Sequence, residues 1–261
     1  MRTIALLLLL TSAAWSAQQE VSRNFDKTVP LGAGQRLLIE HQFGDVTVRG
    51  GPQKDVIVHA VLRVASSDPT EAERMLNEIQ IQVEQTAAGV SVRTRYPDQN
   101  RMKRGNRSFS VSYTITAPEG APLEIQNSFG PVVIAEMKGG TRVRNSHGRL
   151  AFRGGQGTQV FDNSFGALEV AGNQGDVTAN NGNGSVRVTD VSGAVNVRSS
   201  FGGVVVERAG GNVVVTNGNG GIEVTPITQV DLNLVSISVD NLFRQARSRL
   251  DKVEPRAQFI R

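Results

Sequence analysis

From residue 130 to residue 224 the chain alternates apolar and polar positions with a period of two, and the alternation restarts at a glycine every nine residues. The glycines are Gly130, Gly139, Gly148, Gly157, Gly166, Gly175, Gly184, Gly193, Gly202, Gly211 and Gly220. The second position after each is Val132, Thr141, Leu150, Gln159, Leu168, Val177, Val186, Val195, Val204, Val213 or Ile222, apolar in nine of eleven units. The fourth is Ile134, Val143, Phe152, Phe161, Val170, Ala179, Val188, Val197, Val206, Val215 or Val224, apolar every time. A valine-rich period of two marks a half-buried β-strand, so each unit predicts a short strand and a turn. Glycine suits the turns because a left-handed backbone costs a residue with a β-carbon about 1–2 kcal/mol. Paid at every corner, that strain would rival a domain's whole stability of about 5–15 kcal/mol.

A slower rhythm overlies the first. Asn127-Ser128-Phe129-Gly130, Asn145-Ser146-His147-Gly148, Asn163-Ser164-Phe165-Gly166, Asn181-Gly182-Asn183-Gly184, Ser199-Ser200-Phe201-Gly202 and Asn217-Gly218-Asn219-Gly220 follow one another at eighteen-residue intervals. Two kinds of turn therefore alternate. Coils of eighteen residues would place each asparagine over the last at about 4.8 Å, close enough for an amide ladder. The predicted fold is all-β: a repetitive β-solenoid of nine-residue strand-turn units with about six coils. An antiparallel meander would share the in/out pattern but leaves the asparagine at every second corner unexplained. Phe129, Phe165 and Phe201 recur at thirty-six residues, so a coil of two strands and one of four both remain open.

Four segments follow: a signal peptide at 1–17, a β-rich N-terminal capping region at 18–120, the solenoid repeats at 121–226, and a C-terminal cap or basic tail at 227–261. Within the second, Leu37, Ile39, Phe43, Gly44, Val46 and Val48 match Leu123, Ile125, Phe129, Gly130, Val132 and Ile134 position for position. The first coil is thus written at 35–50 and then interrupted. The interruption carries strands at 56–64, 81–85, 90–96 and 109–115 and a short helix near 69–79. Asp68 is its N-cap, Pro69 its first residue, and Ala72, Met75, Leu76 and Ile79 its apolar face. Past Ile227, one or two strands are expected at 229–239 and a basic amphipathic helix at 242–253.

The start of the chain reads as an export signal: Met1-Arg2, the apolar run Ile4–Leu10, then Ala14-Trp15-Ser16-Ala17. The run is too short to span a bilayer, which takes about 20 residues. No second long apolar run occurs, so no transmembrane segment is expected in the mature chain, and its place is the periplasm or cell surface. The absence of cysteine excludes disulfides, thiolate nucleophiles and zinc-thiolate sites. A net charge of +4 is no argument for nucleic acid. Trp15 is the only tryptophan and Tyr96 and Tyr113 the only tyrosines, which counts against a sugar-binding face built on Trp and Tyr stacking.

The signal peptide, the run Phe43-Gly44-Asp45-Val46-Thr47-Val48, the Ala117-Pro118 ahead of the repeats and the Asn-Ser-Phe-Gly series together resemble the bacterial putative-adhesin family, also called toast-rack proteins. The resemblance covers residues 30–226. It implies a β-solenoid-like protein of the cell envelope and brings no catalytic residue with it. The C-terminus departs from the family pattern, because a basic polar end replaces further glycine-marked strands.

No constellation of residues carries chemistry. Calcium-binding nonapeptide repeats need an aspartate two residues after the glycine, where this chain has apolar residues, threonine or glutamine. His41, His59 and His147 have no partner at metal-ligand spacing, so no metal and no cofactor is expected. Ser128, Ser146, Ser164 and Ser200 repeat with the turn, whereas a nucleophile is needed once, beside a base. The acids of the repeats are dispersed; Glu169, Arg187 and Glu223 share one outward register as a mixed-charge stripe. Asn127, Gly130, Asn145, Gly148, Asn163, Gly166, Asn181, Gly184, Gly202, Asn217 and Gly220 are read as structural turn residues. Arg93, Arg95, Arg101, Lys103, Arg104 and Arg107 form a cationic segment, either a solvated loop or a contact for anionic envelope polymers or headgroups. The reading is a non-enzymatic envelope solenoid that offers a rigid surface to an envelope polymer, a membrane surface or another envelope protein. A self-assembling filament protein is the alternative, ahead of a polysaccharide-active β-helix enzyme.

Overall fold

The computed structural model describes residues 19–97, 107–225 and 232–236. The signal peptide and the helix expected at 242–253 lie outside these residues.

The N-terminal part comprises β1 (Gln19–Pro30), β2 (Arg36–Phe43), β3 (Val46–Gly51), β4 (Asp55–Ser66), α1 (Pro69–Glu78), β5 (Gln80–Thr86), β6 (Gly89–Arg95) and β7 (Arg107–Pro118). The repeats supply β8 (Leu123–Phe129), β9 (Val132–Ala135), β10 (Thr141–His147), β11 (Leu150–Gln156), β12 (Gln159–Phe165) and β13 (Leu168–Gln174). They continue with β14 (Val177–Asn183), β15 (Val186–Val191), β16 (Val195–Phe201), β17 (Val204–Ala209), β18 (Val213–Asn219) and β19 (Ile222–Thr225), and β20 (Leu232–Ser236) follows. Successive repeat strands enter two sheets in turn. One runs β1-β4-β7-β3-β9-β11-β13-β15-β17-β19 and the other β20-β18-β16-β14-β12-β10-β8-β2-β6-β5. A coil therefore has two strands, one per sheet.

Strands of adjacent coils pair in parallel at a constant shift of eighteen residues, as in Leu168↔Val186 and Val186↔Val204. Parallel pairing rules out the meander. Both apolar columns point between the sheets: Val170, Val188 and Val206 are at most 1% exposed. Removing each such side chain from water contributes up to about 1.5–3 kcal/mol. The two polar exceptions, Thr141 and Gln159, are buried in the same columns, and Gln159 turns its Nε2 to the Gln156 carbonyl at 2.8 Å.

The two corners are built differently. At the Asn-x-x-Gly corner, Gly184 has φ +130°, and a β-carbon there would strike the Gly166 carbonyl one coil away. Each asparagine points inward and donates to the glycine carbonyl of its own turn, as Asn163 Nδ2 does to Gly166 O at 3.1 Å. The amides also ladder: Asn127 Nδ2 donates to Asn145 Oδ1, and Asn145 to Asn163, both at 3.0 Å, and Asn163 to Asn181 at 3.1 Å. Ser199 ends the ladder, and Asn181 and Asn217 each donate to the glycine carbonyl of their own turn and to that of the turn before it. At the opposite corner Gly193 and Gly211 avoid the left-handed region; bare backbone is required there because each lies against the turn of the coil before it. Gly157 and Gly175 of the same corner have positive φ, and beside them runs a further left-handed column, Glu136, Gly154, Gly172, Asp190 and Arg208, with φ between +54° and +71°. Only two of the five are glycine, which hides the column in the sequence.

The N-terminal part continues both sheets. β2 and β3 form the coil expected at 35–50, pairing with β8 and β9. α1 begins at Asp68, whose carboxylate accepts from the Thr70 and Glu71 amides, and it buries Ala72, Met75 and Leu76. β1, which the sequence did not reveal, pairs antiparallel with β4 along its whole length. Its alternation Val21, Phe25, Val29 is interrupted at Arg23 and Lys27, which reach the carbonyls of Ile79 and Val83 at 2.8 and 2.9 Å. β20 falls within the strand expected at 229–239 and pairs with β18.

Two outcomes are expected of these corners. Gly184→Val should lower the melting temperature by several degrees, since left-handed strain of about 1–2 kcal/mol adds to the collision; an unchanged melting curve would refute the corner geometry. Asn163→Ala should cost about 2–4 kcal/mol in chemical denaturation, because it leaves one N–H of Asn145 and the Oδ1 of Asn181 buried without a partner. A cost below about 1 kcal/mol would show that the ladder adds nothing.

Candidate binding edge

The side chain just before each corner glycine overhangs the end of the sandwich. Register pairs Phe43 with Phe129, Phe129 with His147, His147 with Phe165, Phe165 with Asn183, Asn183 with Phe201 and Phe201 with Asn219. The column thus runs along one whole edge of the solenoid. Its first four rings are stacked: Phe43–Phe129 at 5.4 Å, Phe129–His147 at 4.7 Å and His147–Phe165 at 4.9 Å, with planes within 13° of parallel. These spacings follow from the strand separation, which the corner transmits to the side chains. Phe129, Phe165 and Phe201 are nonetheless 45%, 51% and 54% exposed, the last two being the most exposed large apolar side chains among the described residues. Large aromatics in line at that exposure are the sort of patch that marks an interaction site.

At its upper end the edge joins an aromatic cluster. Tyr96 and Phe109 each meet Phe43 edge-on at 5.2 Å. Behind them lies His41, 4% exposed, in the column that the asparagines occupy below. Its Nδ1 lies 3.1 Å from Thr94 Oγ1 and 3.3 Å from Tyr96 Oη, and the Tyr113 ring stands edge-on to it at 5.0 Å. Burial lowers the His41 pKa to about 4, against weaker raising contributions from the Val111 and Phe43 backbone. It is neutral at physiological pH. Burial likewise pushes Tyr113 up to about 12 and Tyr96 higher still. No carboxylate is among these partners, and the rings pack against one another as a junction between the edge and the N-terminal strands.

The cationic segment divides. Arg101, Lys103 and Arg104 lie outside the described residues. Arg93 pairs with Glu40, Arg95 donates to Gln82 Oε1 at 2.7 Å, and Arg107 lies 3.9 Å from Glu71. The mixed-charge stripe resolves into exposed ion pairs, Arg149–Glu169 at 2.5 Å and Arg187–Glu207 at 3.3 Å, of a kind that contributes little to stability. His59 meets Asp26 at 2.7 Å on the surface, while His147 is held between two phenyl rings. An open notch of about 410 Å³ lies on the opposite corner, where Gly154 and Gly172 leave a gap between Lys138 and Asp190. Among the described residues no three His, Asp or Glu side chains cluster to hold a metal. None of the described helices is long and apolar enough to cross a membrane. The sequence placed Phe43 and His147 at the same turn position as Phe129, Phe165 and Phe201 but did not show that the first four rings stack.

No family model matches the chain, and no curated protein does. Similar solved structures include a "putative cell adhesion protein" from Clostridium sporogenes, 12% identical, covering 83% of this chain and 100% of that one, with a TM-score of 0.33. Others are a "putative lipid binding protein" from Parabacteroides distasonis (10% identity, 81% and 96% covered, TM-score 0.32) and a "putative adhesin" from Bacteroides fragilis (11%, 82% and 96%, TM-score 0.30). Likenesses of this size bear on neither ligand nor activity.

His41 makes stability depend on acid in a definable window. Its folded pKa of about 4 lies below the ordinary 6.5, so the unfolded chain takes up the proton first as pH falls. The stabilisation is complete above pH 6.5 and declines toward pH 4, by about 3 kcal/mol in all. His41→Asn, which puts the column's usual residue in place, should lack this component. Denaturation series at stepped pH check it: parallel pH profiles for the two proteins would contradict the assignment.

Proposed function

We propose that this protein is a non-enzymatic solenoid of the bacterial envelope that binds through its aromatic edge. The observation carrying the reading is that edge itself: exposed phenyl rings held in line by a backbone that cannot adjust without breaking the sheets. Pre-ordered aromatics bind with little loss of conformational freedom, which is why such side chains dominate protein contact sites. Repetition at about 4.8 Å makes the surface linear, so contact is distributed along it rather than concentrated in a pocket. The signal sequence at 1–17 supports export to the periplasm or cell surface, where such an edge meets envelope components. The edge outranks the cationic segment as the contact, because each of that segment's described arginines already has a partner.

The test is binding of the purified protein to isolated bacterial envelopes. Replacing Phe129, Phe165 and Phe201 together by serine should leave the fold intact, since all three are exposed, and weaken binding at least about tenfold. Equal binding by the folded triple variant would remove the edge as the contact. Release of soluble oligosaccharides from the same envelopes would favour the enzyme reading instead.

A further inference from the structure

We infer that the partner of this edge is the same edge of a second copy, running antiparallel about a two-fold axis between the rungs of Asn183 and Phe201; this rests on the binding role of the edge proposed above. The lower four rungs alternate in bulk. Ser164-Phe165 and Ser200-Phe201 are thick, whereas Gly182-Asn183 and Gly218-Asn219 are thin. At the thin rungs the neighbouring turn also requires glycine: a β-carbon on Gly182 would lie 2.6 Å from the Ser164 carbonyl oxygen, and one on Gly218 2.8 Å from that of Ser200. Read downward the column is Phe, Asn, Phe, Asn; read upward it is Asn, Phe, Asn, Phe. Opposed antiparallel, every phenylalanine faces an asparagine of the second copy, and every serine faces a glycine. A two-fold contact of this kind is isologous and closes after two copies.

The dimensions agree. Rings already stacked on this edge stand 4.7–5.4 Å apart. Phe165 and Phe201 are two rungs apart, about 9.6 Å, leaving at Asn183 the space of one missing ring. Phe201 of the second copy enters there at the spacing the edge itself uses, between two phenyl rings and over a carboxamide. Charge presents no obstacle at the corner itself. The outward row on one flank is Asp162, Asn180, Arg198 and Thr216, so Asp162 faces Thr216 and Arg198 faces Asn180 of the second copy. Beside the corner on the other flank, Ala167, Ser185, Gly203 and Gly221 are uncharged; two residues further from it, Glu169 comes level with Glu223 of the second copy.

Four rungs give a contact only about 19 Å long. Its area falls short of the roughly 1,200 Å² of a stable complex. The association is accordingly weak in solution and gains strength where many copies share a surface.

Sedimentation of the mature chain from micromolar to millimolar concentration, with a substitution cycle, tests the pairing. The wild type should move toward twice the monomer mass. N183F opposes two phenylalanines at the axis and F201N opposes two asparagines, so each should weaken association at least about tenfold. The double variant reads Phe, Phe, Asn, Asn, which is again complementary to its own reverse, and should recover it. Melting curves establish that all four proteins are folded. A monomeric wild type, single variants that associate like it, or a double variant no better than the singles would each overturn the inference. Envelope binding separates the two readings. A monomeric wild type whose envelope binding still needs Phe129, Phe165 and Phe201 keeps the edge but loses the second copy; binding indifferent to those residues removes both.

Discussion

The constraint on which the rest of the molecule depends is parallel, in-register pairing at an eighteen-residue shift. Once strand hydrogen bonds fix each residue over its counterpart, whatever one coil carries at a position recurs at about 4.8 Å. Inward, this turns isolated valines into continuous columns shared by both sheets. At the corner it turns single asparagines into a ladder in which each amide satisfies a turn carbonyl and a neighbouring amide. The same constraint sets the crowding. A corner glycine is needed because the turn of one coil lies against the carbonyl of the last, not only because its φ is positive.

What the sequence disclosed follows from that economy. Buried columns and corner glycines recur at a fixed interval, so Val170, Val188 and Val206, or Asn127, Asn145 and Asn163, can be placed without coordinates. Features that depend on a neighbour from elsewhere in the chain stayed hidden. β1 escaped because Arg23 and Lys27 occupy positions where a strand would show apolar residues, and their charges are accommodated by carbonyls more than fifty residues away. The left-handed column was concealed by the variety of its members, Glu136, Asp190 and Arg208 among glycines. All three take part in ion pairs to an adjacent rung, Arg49–Glu136 and Arg208–Asp190, each with two hydrogen bonds. The site was half legible: the recurrence of Phe129, Phe165 and Phe201 was plain, but the two-strand coil was needed to show that they lie on one edge.

The edge also differs from the rest of the surface in how its side chains are engaged. On the sheet faces charged residues pair across rungs, as Arg149 does with Glu169, and their aliphatic stems cover the strands beneath. At the corner no such cover exists. The first four rings contact one another along the edge, Phe201 stands between two asparagines, and the outer faces are exposed. Stacking gives each pair an attraction of about 0.5–1.5 kcal/mol when buried and less at this exposure, which leaves most of their apolar surface without compensation.

The alternation of phenylalanine and asparagine is not something the core requires. The inward columns carry no thirty-six-residue period: Leu168, Val186, Val204 and Ile222 follow one another without regard to which rung is thick, and so do Val170, Val188, Val206 and Val224. The inward asparagine is present behind Phe165 and behind Asn183 alike. Close backbone approach gives Gly182 and Gly218 a local reason to be glycine, whereas in the rungs immediately above, from Phe43 to Phe165, the rings stack without a break. A continuous phenyl ladder would satisfy the fold as well. Leaving out alternate rings creates openings of ring width on a solvent-facing edge, and an opening has a physical use only when something from outside the chain enters it.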